Sequence, residues 1–190
     1  MAAIQKSVEK WKNKQWFNVY APKILADNKV IGEIPALDEK SVIGRVIKVS
    51  LSWITMNPQH SFMSVGLRVT GANGSAAQTE LDYIEQVYSY THSQVRRESS
   101  AVYNIEKLTD KDGKKLVLKL LTISRFRITT PKKSGVRREL SIFAKKYLSE
   151  VSTDEFIKDI IDGEFQSQAI GAAKKIVPVS KVEVKRIELR

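Results

Sequence analysis

Residues 61–83 read SFMSVGLRVTGANGSAAQTELDY, and the reading of this stretch decides the fold. Met63, Val65, Leu67 and Val69 alternate with Phe62, Ser64, Gly66 and Arg68. A period of two sustained over this length marks a half-buried β-strand. Gly71-Ala-Asn-Gly74 breaks the alternation with residues that suit a hairpin turn. Ala77, Thr79, Leu81 and Tyr83 then alternate with Gln78, Glu80 and Asp82, which gives the return strand. The chain therefore has an antiparallel hairpin at its centre.

Working outward, Val42 to Ile54 is apolar and β-branched and reads as a strand ended by Asn57-Pro58. Val87, Tyr90, Thr91 and Val95 give a helical stripe over Gln86–Arg97. Residues 101–109 and 114–127 flank Asp110-Lys-Asp-Gly113 as a second hairpin, with those aspartates expected in a solvated turn. Its second arm is a long apolar run through Leu116, Leu118, Leu120, Ile123 and Phe126. Residues 129–135 read as a basic loop containing Pro131. From Val136 to Val151, Val136, Leu140, Phe143, Ala144, Tyr147 and Leu148 recur at helical spacing. Ser152 and Glu155 form a capping box opening another helix, which Gly163 closes. Phe165, Ala169, Ala172, Ala173 and Ile176 predict one more helix, stopped by Pro178, and Val179–Leu189 a last strand. The expected fold is α+β: a mostly antiparallel, β-barrel-like sheet with packed helices, the C-terminal helices followed by a final strand. Residues 1–20 read as a basic and aromatic arm, and residues 21–190 as a single globular domain.

The charge is unbalanced. Lys plus Arg is 32 and Asp plus Glu is 21, a net charge of +11. Such an excess points first to nucleic acid and second to an anionic membrane surface. It is densest from residue 125 to 146, where Arg125, Arg127, Lys132, Lys133, Arg137, Arg138, Lys145 and Lys146 face one acid, Glu139. Further pairs occur at Arg96-Arg97 and Lys174-Lys175. Glutamates four residues before these cations, which would make them intrahelical ion pairs, are mostly missing. A phosphate backbone relieves the repulsion, with Arg offering a planar fork and Lys a compact charge. In the arm, Lys6, Lys10, Lys12 and Lys14 interleave with Trp11, Trp16, Phe17 and Tyr20, a pattern that suits lysines on phosphate and rings on bases. The same rings folded back on the core fit equally well.

Catalytic and metal-binding chemistry finds no constellation. The chain has no cysteine, so disulfides and Cys-based zinc sites are excluded. His60 and His92 stand alone. Gly71–Gly74 is followed by a strand and by no Gly-Lys-Ser/Thr, so it is not a phosphate loop. Glu155, Asp159 and Asp162 share a helix face without a His or a second acid cluster. No catalytic residue, metal ligand or cofactor is expected. No run approaches the roughly 18 apolar residues of a membrane helix. The first sixteen residues lack the apolar core of a secretory signal, so a soluble cytoplasmic protein with no membrane partner is expected.

Trp16-Phe-Asn-Val-Tyr-Ala-Pro22 resembles the Lys-Lys-Trp-Tyr-x-Val-x-Ala-Pro opening of the S3Ae (eS1) family of archaeal and eukaryotic small-subunit ribosomal proteins. The likeness runs on through Ile43-Gly-Arg45-Val46, Thr79-Glu80-Leu81, Val95-Arg96-Arg97, Val136-Arg137-Arg138, Ala172-Ala-Lys-Lys-Ile176 and Val182-Glu-Val184. Each motif is weak alone, and the collinear series is specific. The resemblance implies a structural protein on the small-subunit platform, near the 3′ end of the rRNA and the mRNA exit. Its partners would be small-subunit rRNA, neighbouring small-subunit proteins and mRNA near the exit. The RNA contacts expected from the charge pattern and the resemblance together are Lys10, Lys12, Lys14, Trp16, Arg45, Arg96, Arg97 and the cations of residues 125–146 named above. The chain departs from the family pattern at Val87-Tyr88 and at Glu98, which ranks the Gln86–Arg97 helix behind residues 125–146 as a contact. A free RNA-binding regulator or RNA chaperone, outside any ribosome, is the alternative reading.

Overall fold

A computed structural model describes residues 13–26, 29–111 and 113–189. The strands are β1 (Gln15–Tyr20), β2 (Val30–Ala36), β3 (Val46–Ser50), β4 (Met63–Asn73), β5 (Ala76–Gln86), β6 (Ala101–Thr109), β7 (Lys115–Ser124) and β8 (Val179–Leu189). The helices are α1 (Glu39–Val42), α2 (Leu51–Thr55), α3 (Tyr88–Ser93), α4 (Thr130–Glu150), α5 (Thr153–Asp162) and α6 (Glu164–Lys174).

The hairpin at residues 61–83 is β4 and β5, paired antiparallel from Met63↔Gln86 to Asn73↔Ala76. Gly74, at φ +60°, supplies the left-handed residue of its turn. β5 is the hub of the sheet. One edge lies along β4, and the other is divided between β1, parallel over Ala76–Gln78, and β8, antiparallel over Tyr83–Glu85. The strand order is β2-β1-β5-β8-β7-β6, with β4 and β3 branching from β5. The α+β class and the order of helices then strand agree with the sequence reading. The sheet stays open instead of closing into a barrel, because the outer edge of β6 meets α4 rather than another strand: Arg137 Nε donates to Tyr103 O at 2.9 Å.

One face of the sheet carries the main core. Leu116, Leu118 and Leu120 of β7 and Val182 and Val184 of β8 pack with Leu140 and Leu148 of α4. Phe156 and Phe165, both fully buried, meet edge to face with centroids 5.1 Å apart, and Tyr147 stands 5.3 Å from Phe165. Each such ring contributes on the order of 2 kcal/mol by leaving water. The Ser152–Glu155 capping box is formed, and Gly163 at φ +87° ends α5. A smaller core gathers Phe17, Val19, Ala36, Val42, Val69 and Ala77 under the β1–β2 end.

Four segments differ from the sequence reading. Residues 15–20, read as the end of the arm, form β1, because Phe17 and Val19 alternate into the smaller core. The strand read over 42–54 is only β3. Gly44, at φ +83°, turns the chain before it, and Leu51 and Ile54 are buried at helical spacing after it. The helix read over 86–97 is only α3, and Arg96-Arg97 lies in the turn beyond. Residues 130–135, read as a loop, are the first turns of α4, where Pro131 is harmless because its missing N–H has no intrahelical acceptor.

Candidate nucleic-acid interface

Three segments far apart in sequence converge just beyond α3. Ser99 Oγ accepts from Arg96 N at 3.0 Å and donates to Arg96 O at 2.8 Å, which closes the Arg96–Ser99 turn. Ser100 N donates to Ser124 Oγ, and Ser124 N to Ser100 O, each at 3.0 Å, so that turn is tied to the end of β7. Arg125 N donates to Pro178 O at 3.0 Å, which adds the start of β8. A groove of about 730 Å³ opens between them. Arg96, Arg97, Arg125 and Lys181 line it, and Glu98 is its one acid. The arginines are exposed. Arg127 stands beside the groove, with Nε and Nη2 at 3.4 and 3.3 Å from Arg97 O. Lys181 Nζ donates to Gln94 Oε1 at 2.9 Å, a neutral acceptor. The arrangement concentrates planar guanidinium donors on a concave polar surface, a geometry that suits phosphate oxygens.

The structure places the other sequence candidates elsewhere. Lys10 and Lys12 lie outside the described residues. Trp16 is 57% exposed and pairs across with Pro35, whose carbonyl accepts from Arg45 Nη1 at 3.2 Å. Lys14, Trp16 and Arg45 thus sit by the β1–β2 end, at the far end of the strand order from β7 and β6. Residues 125–146 do not present one surface. Arg125 and Arg127 belong to the groove, whereas Lys132 and Lys133 enter the first turn of α4. Arg137 is tied to the edge of β6. Arg138 and Lys145, two helical turns apart, share an exposed face of α4. Lys146 turns toward α6, where it lines a separate groove with Tyr147 and Lys175.

One member of the site was missed from sequence. Lys181 was legible as an outward position, because it alternates with the buried Val182 and Val184. What the sequence lacked was the strand register that brings it beside Arg96. Next to the site, Phe126 was read into the apolar run of β7, yet β7 ends at Ser124 and Phe126 is 65% exposed.

Groups weighed for chemistry have structural partners. Thr55 Oγ1 and His60 Nδ1 are 3.1 Å apart, and His92 packs against the Tyr88 ring. Asp110 is not in a solvated turn. It is buried and accepts from Thr153 N at 2.8 Å, from Thr153 Oγ1 and from Lys111 N, anchoring the start of α5. Burial works against its ionisation, but these hydrogen bonds outweigh it and hold the pKa below the usual carboxylate value. Asp112 lies outside the described residues. Among the described residues, no group of three or more His, Asp or Glu is arranged to hold a metal ion, and no helix is long and apolar enough to cross a membrane.

The sequence model of the Ribosomal S3Ae family matches residues 2–190. The chain belongs to this family. Its S3Ae relatives include the small ribosomal subunit protein eS1 of Sulfurisphaera tokodaii, 33% identical over 95% of this chain and 93% of that protein. The proteins of the same name from Pyrobaculum arsenaticum and Desulfurococcus amylolyticus are 31% and 30% identical, over 94% and 95% of this chain and 81% and 84% of theirs. S3Ae membership thus covers both the β1–β2 end and the arginine groove.

Proposed function

We propose that this chain is a structural protein of the small ribosomal subunit that holds folded rRNA, with the Arg96–Arg97–Arg125–Lys181 groove as a main phosphate contact. The observation that carries the reading is the convergence of four cations and one acid on one groove from residues 96–97, 125 and 181. The relatives' names, small ribosomal subunit protein eS1, support the assembly. Phosphate contacts set affinity, while RNA shape and unstacked bases set position. Lys14, Trp16 and Arg45 form a second contact at the β1–β2 end. The exposed Arg138–Lys145 face of α4 adds a third. Within the subunit, the family resemblance supports a place on the platform near the rRNA 3′ end and the mRNA exit, against neighbouring small-subunit proteins. The reading assigns the chain no catalysis.

The test is the salt dependence of binding between the full chain and small-subunit rRNA. Affinity should fall steeply with salt, and Arg96→Ala with Arg97→Ala should lower the log–log slope by about 1.5, as two lost phosphate contacts require. A flat salt response, or an unchanged slope in the variant, overturns the groove. Co-migration with small subunits through a high-salt wash supports the assembly role. Free migration with intact RNA affinity supports a regulator instead.

A further inference from the structure

We infer that Phe126, next in the chain to the groove-lining Arg125, is a stacking platform for one unpaired nucleobase. The inference rests on the RNA-binding reading and adds the kind of RNA recognised. Continued alternation of β7 would have put Phe126 on the same side as Leu118, Leu120 and Thr122, facing the helices. The chain instead bends after Ser124, and it is Ile128 that packs against the core. Phe126 is left 65% exposed.

This exposure is built rather than frayed. Ser124 Oγ donates to Phe126 O at 2.5 Å. Arg125 N is bound by Pro178 O, and Ile128 N donates to Ser100 Oγ at 3.2 Å. The Arg127 guanidinium rests on Arg97 O. Ser124, Arg125, Arg127 and Ile128 are each tied to a neighbouring segment and Phe126 O to Ser124, so the backbone that presents the ring is already ordered and binding costs little further backbone entropy.

Single exposed rings are common and by themselves mean nothing. This one stands between two exposed arginines, one lining the groove and one beside it. An apolar protein surface would leave those charges unpaired, whereas a nucleotide offers a π-face for the ring and flanking phosphates for the arginines. A continuous duplex offers no such face, because its bases are stacked inside. The ligand class is therefore a bulged, looped or single-stranded nucleotide.

The experiment uses the full chain and two RNA hairpins of the same stem, one fully paired and one with a single bulged 2-aminopurine. Wild type should bind the bulged hairpin more tightly and quench its fluorescence. Phe126→Leu should lose about tenfold affinity for the bulged hairpin, and the quenching, with little change for the paired stem. Phe126→Trp should restore both. Unchanged binding of Phe126→Leu to the bulged hairpin, or equal losses on both hairpins, overturns the stacking site. So does loss of Phe126→Leu from small subunits with RNA affinity intact, which would make Phe126 a protein contact. If Arg96→Ala with Arg97→Ala weakens both hairpins while Phe126→Leu weakens neither, the groove stands and the platform falls. If wild type binds neither hairpin, the RNA reading falls with it.

Discussion

Gly66→Ala should destabilise the fold although the site is free of backbone strain. Gly66 pairs directly with Tyr83, whose ring lies over it. A Cβ at residue 66 would stand 2.1 Å from Tyr83 Cε1 and 2.4 Å from Cζ. The ring would have to retreat by roughly 1 Å or more to reach ordinary contact. Such overpacking costs about 1–3 kcal/mol. The ring also carries the Arg186 guanidinium 4.3 Å from its centroid, a contact worth about 0.5–1 kcal/mol. Arg186 in turn bridges Glu85 at 3.0 Å and Glu188 at 2.9 Å, and these acids pair with Lys48 and Lys119. Moving the ring thus disturbs a charge ladder running from β3 to β7. Against these losses, Ala restricts the unfolded chain and returns about 0.4–1 kcal/mol. The net expectation is a loss of about 1–3 kcal/mol, read from urea unfolding. The decisive comparison is the same substitution in Tyr83→Ala, where nothing occupies the space and the cost should vanish. An equal loss in both backgrounds would refute the steric reasoning.

Tyr147 is pushed up to about 12 by burial, then by its hydrogen bond to Asp159 at 2.7 Å. A raised folded pKa stabilises the fold below the unfolded value near 10 and loses that contribution as pH rises toward 12. Base-induced destabilisation across that window should be smaller in Tyr147→Phe than in wild type, as followed by circular dichroism. Asp110 has the opposite sign: its depressed pKa contributes stability above about pH 4 that is lost as pH falls through the folded value. Asp110→Ala should cost about 2–3 kcal/mol at neutral pH and flatten the acid limb of the unfolding profile. Arg137→Ala should remove about 1 kcal/mol of thermal stability by freeing the edge of β6. Arg138→Ala with Lys145→Ala should leave the melting temperature unchanged and lower the salt slope of RNA binding, so a matching stability loss in that pair would make those cations structural.

The two hairpins and the C-terminal helices were legible because their signals are local. Alternation around Gly74 and Gly113, the Ser152–Glu155 box and the turn at Gly163 each act within a few residues. The misread segments share one cause. Whether Gln15–Tyr20 is an arm or a strand depends on β2 and β5 being there to pair with it. Whether Leu51–Thr55 is strand or helix depends on which face finds a core, since a short apolar run suits either. Asp110 reads as a turn residue and is one, but its carboxylate is buried by Thr153, 43 residues later.

For function, the sequence alone determined the sign of the charge and the likeness to S3Ae proteins. It did not determine which cations act together. Residues 125–146 look like one basic surface in the linear chain, and the fold divides them among the groove, the edge of β6 and separate sides of α4. Arg96-Arg97, which seemed the weaker contact, is brought beside Arg125 and Lys181 by the register of β7 on β8 and by the Ser100–Ser124 tie. Charge is additive along a sequence, but a phosphate is bound only by donors that meet in space. Strand pairing and a handful of serine hydrogen bonds set that meeting, and they also turn Phe126 outward beside it.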